Sequence, residues 1–128
     1  GNTEQIASYI EEGAKDSGVE VEKIEVSSAD ESSLDADFIA LGSPATGAEE
    51  VAPEMVDYVD SVKNKLEGKT VGLFGSNDWG TGEFLETWKE ELEGLGAKVV
   101  GDGLVINLAP DDDDKIEASK NYGKTIVG

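Results

Sequence analysis

Two stretches, "DFIALG" at Asp37 to Gly42 and "KTVGLFGS" at Lys69 to Ser76, are short apolar runs bounded by turn residues, and each is followed by a glycine-bearing loop and an amphipathic stretch. Such runs read as strands buried on both faces, the state of a parallel sheet whose crossover helices cover both sides. The amphipathic stretches carry apolar residues at helical spacing. Met55, Val56, Val59, Val62 and Leu66 do so within Glu54 to Leu66, and Phe84, Leu85, Trp88, Leu92 and Leu95 within Glu83 to Leu95. Pro53 suits the first turn of the former, and Gly96 closes the latter.

The flanks extend the alternation. Asn2 to Lys15 places Ile6, Ala7, Tyr9, Ile10 and Ala14 at helical spacing and stops at Asp16-Ser17-Gly18. "VEVEKIEV", Val19 to Val26, alternates apolar and acidic residues strictly at first and predicts a strand with one wet face near a sheet edge. Val99 to Leu108 predicts a further strand, bulged at Gly101 to Gly103. Asp111 to Val127 predicts a last helix whose four aspartates sit where the helix dipole favours negative charge. The terminal "KTIVG", Lys124 to Gly128, belongs to that helix, with a short gap-filling strand as the alternative. The order is then α-β-β-α-β-α-β-α, which predicts an α/β chain: a doubly wound parallel sheet with helices on both faces. A chain of this class opens on a strand, whereas this one opens on a helix. The first, central strand is therefore expected to be absent.

Length and charge narrow the function. At 128 residues the chain suits one domain spanning 1–128. It has no cysteine and no histidine, which excludes zinc fingers, iron–sulfur ligation, thiol chemistry and histidine acid–base catalysis. With Lys+Arg 10 against Asp+Glu 29, the net charge of −19 argues against nucleic acid and favours partners with basic faces. No signal segment or apolar run long enough to cross a bilayer stands out, so no membrane role and a soluble, cytoplasmic location are expected.

Three loops lie where open α/β sheets place ligands. Gly1-Asn2-Thr3 opens the first helix: glycine permits close backbone approach, the two side chains donate hydrogen bonds, and the helix start presents free N–H groups to a phosphate. On these residues alone, a plain helix cap is the stronger reading. "GSPATGAEE", Gly42 to Glu50, follows a buried strand and joins a stiff Pro44 to a free-turning Gly47; an ordinary connecting turn is its alternative. "GSNDWGTGEF", Gly75 to Phe84, sets Trp79 among glycines, where an indole should cover a planar ligand or a partner, or else pack on its own chain. The "GTG" within it lacks the spacing of a dinucleotide fingerprint.

Taken in order, G-N-T opening a helix, then "LGSPATGAEE", then "GKTVGLFGSNDWGTGEFLETW", the sequence resembles short-chain flavodoxins of the anaerobic bacterial type, over nearly its whole length. The resemblance implies a flavodoxin-like fold, FMN at the sheet's switch point, and a low-potential one-electron carrier rather than an enzyme, with no catalytic residue and no metal. Its partners would be redox enzymes, reductases and oxidoreductases, with basic docking faces. By position, the resemblance assigns Gly1, Asn2 and Thr3 to the inner half of the phosphate loop. It assigns Ser43, Pro44, Ala45, Thr46 and Gly47 to the loop beside the flavin's inner face, where the Gly47 carbonyl turns to accept a hydrogen bond from the reduced ring. Glu49 matches an acid on the pyrimidine edge. Trp79 matches the outer-face aromatic, with the Ser76, Asn77, Asp78 and Gly80 backbone lining the same ring. Asn77-Asp78 departs from the usual Tyr-Gly, and Thr46 from the usual Met, changes that would alter affinity and potential.

Two alternatives stand beside the carrier. One is a truncated or remodelled flavodoxin-like chain with weak or no FMN binding, strand-swapped or dimeric where the carrier would be a monomer. The other is a receiver-like signalling domain, disfavoured because Ser43-Pro44-Ala45 offers no acidic phosphoacceptor.

Overall fold

The computed structural model describes residues 2–46, 50–77 and 82–128. Its centre is β3 (Thr70–Asn77), buried from Val71 to Asn77 as its apolar run requires. On one side β3 pairs in parallel with β1 (Phe38–Thr46), in register from Phe38↔Thr70 to Pro44↔Ser76. On the other it pairs in parallel with β4 (Lys98–Val99) and then with β5 (Leu104–Asn107). β2 (Glu50–Val51) runs antiparallel to the end of β1, so the order is β2-β1-β3-β4 with β5 also on β3.

Alternate side chains of β3 feed two apolar layers. Val71 and Leu73 join Met55 and Val62 of α2 (Pro53–Val62) and Phe84, Leu85, Trp88 and Leu92 of α3 (Glu83–Gly94). Phe74 joins Ile6 and Ile10 of α1 (Asn2–Asp16), Ile106, and Ile126 of α4 (Asp113–Val127). Each such buried side chain stabilises the fold by roughly 1.5–3 kcal/mol. Helices therefore cover both faces of a mostly parallel sheet, as the alternation predicts.

Four local readings meet the structure differently. Val19 to Val26 forms no strand: residues 19–25 are irregular and Val26–Ser28 make a short 3-10 turn. Period-two alternation specifies a face, but a strand also needs a ladder partner, and none of the described strands lies beside this segment. β1 is buried on one face only. Ile39, Leu41 and Ser43 point inward while Phe38 and Ala40 are exposed, because that face and the strand's outer edge look onto an open slot. The expected strand over Val99 to Leu108 is two strands, since Gly101 and Gly103 take positive φ and break the run between them. The second helix ends at Val62, and Lys63–Lys65 continue it as a 3-10 turn. "KTIVG" continues α4 through Val127, so it fills no gap in the sheet, and Asp112 caps that helix by accepting from the Lys115 N–H at 2.9 Å.

The break between β4 and β5 leaves a polar gap that α4 closes. The Leu73 N–H donates to the Tyr122 hydroxyl at 3.1 Å, and that hydroxyl donates to the Val100 carbonyl at 2.8 Å. Tyr122 thus supplies the ladder contact the broken strand lacks. Burial pushes its pKa above 10.0, against the opposing Leu73 hydrogen bond, which keeps the donor protonated at neutral pH.

α1 and α4 cross with backbones nearly touching. A Cβ on Gly13 would collide with the Lys120 carbonyl, and one on Gly123 with the Ile10 carbonyl. We expect Gly13→Ala to lower the unfolding free energy by about 1–3 kcal/mol. Gly94→Ala, which meets open space at the end of α3, should instead raise it by about 0.4–1 kcal/mol. Urea titration of both variants checks the contrast; equal effects would contradict the close crossing.

Candidate functional site

The site is built where the C-terminal ends of β1 and β3 meet the N-terminus of α1. Pro44 and Ser76 are register partners across the two strands, and the Ser76 hydroxyl lies 2.9 Å from the Thr3 hydroxyl, 73 residues away in sequence. One hydrogen bond between two hydroxyls uses one O–H, so the pair retains a second donor. The start of a 15-residue helix adds the positive end of its dipole. Hydroxyl donors at a helix start suit an anionic oxygen, and phosphate is the biological anion that helix starts commonly take; Glu4 stands in the same first turn.

The end of β1 is tied to the start of α2 through Ser43. Ser43 is buried; its hydroxyl donates to the Pro44 carbonyl at 2.8 Å and accepts the Ala52 N–H at 2.8 Å, joining the strand to the start of α2. The Ser43 hydroxyl is thus engaged by backbone groups. Thr46 donates from its hydroxyl to the Glu50 carbonyl at 3.2 Å, and Ala45↔Val51 and Thr46↔Glu50 pair as the base of a hairpin. Asn2 is the first residue of α1. Gly1, Gly47, Glu49, Asp78, Trp79 and Gly80 lie outside the described residues, so the readings placed on them concern positions beyond this geometry.

The loop after β3 leaves from a second anchored base. Asn77 is buried, and the Asn107 side-chain amide donates both to its Oδ1 and to its carbonyl, each at 3.2 Å. Leu108 donates its N–H to the same carbonyl at 2.8 Å while holding φ of 61°, an uncommon conformation for a non-glycine residue, with half its surface exposed. Lys115 donates to the carbonyls of Asn107 at 3.0 Å and Ala109 at 3.4 Å. The sequence reading does not reach Asn107 or Lys115. Their only signals are an asparagine closing an apolar strand and a lysine inside an aspartate-rich helix start. Among the described residues, no cluster of carboxylates is placed to hold a metal ion.

A mostly parallel, doubly wound sheet with a helix start and two hydroxyls gathered at its carboxyl edge defines an α/β protein of the flavodoxin-like class. Comparison with known proteins supplies the family. The flavodoxin family model matches residues 1–122. The chain is 41% identical over 113 residues to the flavodoxin of Megasphaera elsdenii, covering 87% of this chain and 82% of that protein. It is 36% identical to the Clostridium beijerinckii flavodoxin, covering 99% and 92%. The solution structure of two-electron reduced M. elsdenii flavodoxin superposes with a TM-score of 0.87 at 38% identity, covering 98% of this chain and 90% of that one. This chain belongs to the flavodoxin family, whose members bind FMN and carry electrons rather than turn over a substrate.

The described residues fit the anionic end of that cofactor through the Thr3 and Ser76 hydroxyls at a helix start. Removing one donor tests this. We expect Thr3→Ala to weaken FMN binding about ten- to a hundredfold, the value of a hydrogen bond to a charged group. Quenching of flavin fluorescence on titration measures it, and unchanged affinity would remove Thr3 from the site.

Proposed function

We propose that this chain is a low-potential one-electron carrier that holds FMN non-covalently and passes electrons between redox enzymes of the cytoplasm. The observation that carries this reading is the convergence of Thr3 and Ser76 at the carboxyl edge of β1 and β3. When bound, FMN supplies the electron-accepting ring. The chain's part is to bind, orient and bias. Asn2, Thr3, Ser76 and the start of α1 hold the phosphate. Ser43 and Thr46 fix the base of the loop carrying Gly47 and Glu49, and Asn77 with Asn107 fixes the base of the loop carrying Asp78, Trp79 and Gly80. Pro44 and Ala45 continue β1 to that edge and bring the first loop to it. A net charge of −19 disfavours added negative charge on the bound group, which makes its reduced form a strong reductant.

The alternative is a remodelled flavodoxin-like chain that holds FMN weakly. The visible spectrum separates the two. The carrier predicts yellow protein, or colourless protein that takes up one FMN on titration; no bound flavin at saturating FMN would overturn the carrier for this chain.

The same charge directs encounter. Association with a reductase whose docking face is basic should slow steeply as salt rises from about 0.01 to 0.15 M, where the screening length falls from roughly 30 to 8 Å. Stopped-flow electron transfer measures it, and a flat salt dependence would contradict electrostatic steering.

A further inference from the structure

Two locally unfavourable features meet at the end of β5. Leu108 holds φ of 61°, a left-handed conformation that leucine rarely adopts, while half of its surface stays in solvent. Lys115 puts a cation into the first turn of α4, where the helix dipole disfavours one. Burial accounts for neither, since both side chains keep solvent contact. Backbone strain of this kind persists where surrounding contacts over-determine it, and it gathers at functional sites.

The contacts that hold this turn run towards the end of β3. Ile106 and Asn107 lie in register beside Ser76 and Asn77. Asn107 is exposed, yet its amide nitrogen donates to both the side-chain oxygen and the carbonyl of buried Asn77, each at 3.2 Å. The Leu108 N–H reaches the same carbonyl at 2.8 Å. A carbonyl only accepts, so the Asn77 carbonyl dictates which way the Asn107 amide faces, and Asn107 in turn dictates the facing of the Asn77 amide. Behind Asn107 stands Lys115. Its ammonium donates to the carbonyls of Asn107 at 3.0 Å and Ala109 at 3.4 Å, bracketing Leu108, and lies 3.6 Å from Asp111. A line of contacts thus runs from α4 through Lys115, Asn107 and Asn77 to Ser76, whose hydroxyl meets Thr3.

We propose that Asn107 and Lys115 are positioning residues for the cofactor: acting through Asn77, they set the end of β3 at which Ser76 meets FMN. The inference rests on the FMN reading above and extends it to two residues outside the binding contacts. A strand end tied in this way is fixed before the cofactor arrives, so less ordering is left to binding. Asn107 holds Asn77 directly, whereas Lys115 holds it only through the Asn107 carbonyl, so the loss at Asn107 is the larger of the two.

FMN titration at about 0.15 M salt, read by quenching of flavin fluorescence, tests this. Asn107→Leu, which removes the donor at an exposed position, should weaken FMN binding about tenfold. Lys115→Met should weaken it about threefold, and Lys115→Arg, which keeps the donors, should restore it to within about twofold. Lys98→Met removes the same charge at the opposite end of the sheet, where β4 begins, and should leave the affinity unchanged. In an Asn77→Ala background the loss from Asn107→Leu should shrink at least about threefold, the coupling expected of groups that act in series. An equal loss with and without the Asn77 side chain would make Asn107 an independent contact and overturn its positioning role. Unchanged affinity in Asn107→Leu or in Lys115→Met, or equal losses in Lys115→Met and Lys98→Met, would also overturn the proposal. Should Asn107→Leu fail to fold by circular dichroism, the three lysine variants decide alone. No FMN uptake by the unsubstituted chain would overturn the carrier reading and this inference with it, whereas uptake that the variants leave intact overturns only this inference.

Discussion

The burial of β3 on both faces is the constraint on which the other elements depend. A strand that exposes neither face must be covered twice and paired on both edges, since its backbone groups have no access to water. Val71 and Leu73 call for the α2–α3 layer, and Phe74 for the α1–α4 layer. The pairing demand recruits β1 on one edge and β4 with β5 on the other. Where the second edge breaks at Gly101 to Gly103, Tyr122 reaches from α4 to serve the Leu73 N–H, so even the gap is settled in favour of β3.

The candidate site follows from the same arrangement. With parallel strands, the carboxyl ends of β1 and β3 fall side by side, and the loops leaving them share one edge. The α1–α4 crossing, close enough to require glycine at positions 13 and 123, holds α1 over the sheet so that its first turn reaches Ser76. Each outgoing loop then starts from a locked residue: Ser43 through two backbone hydrogen bonds, Asn77 through Asn107. Preorganisation of this kind lowers the ordering cost that a cofactor would otherwise meet on binding.

Much of this was legible in the residues. The apolar run of β3 and the helical spacing of α1, α3 and α4 carry their assignments locally, because burial and periodicity are written into the same residues. Val19 to Val26 alternates only until Glu22-Lys23 and forms no strand, because ladder formation depends on a neighbour as well as on the segment. Phe38 and Ala40 are exposed because they line the slot beside β1. The Thr3–Ser76 contact joins residues too distant for spacing arguments; only the family resemblance brought those loops together, and Asn107 and Lys115 had no motif to mark them.

The central claim is that this edge of the sheet is where FMN sits, and amide chemical shifts during an FMN titration of the isotopically labelled protein test it most directly. The account predicts saturating shifts concentrated at Asn2 to Glu4, Ser43 to Thr46 and Ser76 to Asn77, with α3 and the far end of α4 unmoved. Shifts centred on the slot beside Val19 to Val26, or none at any of these residues at saturating FMN, would contradict it.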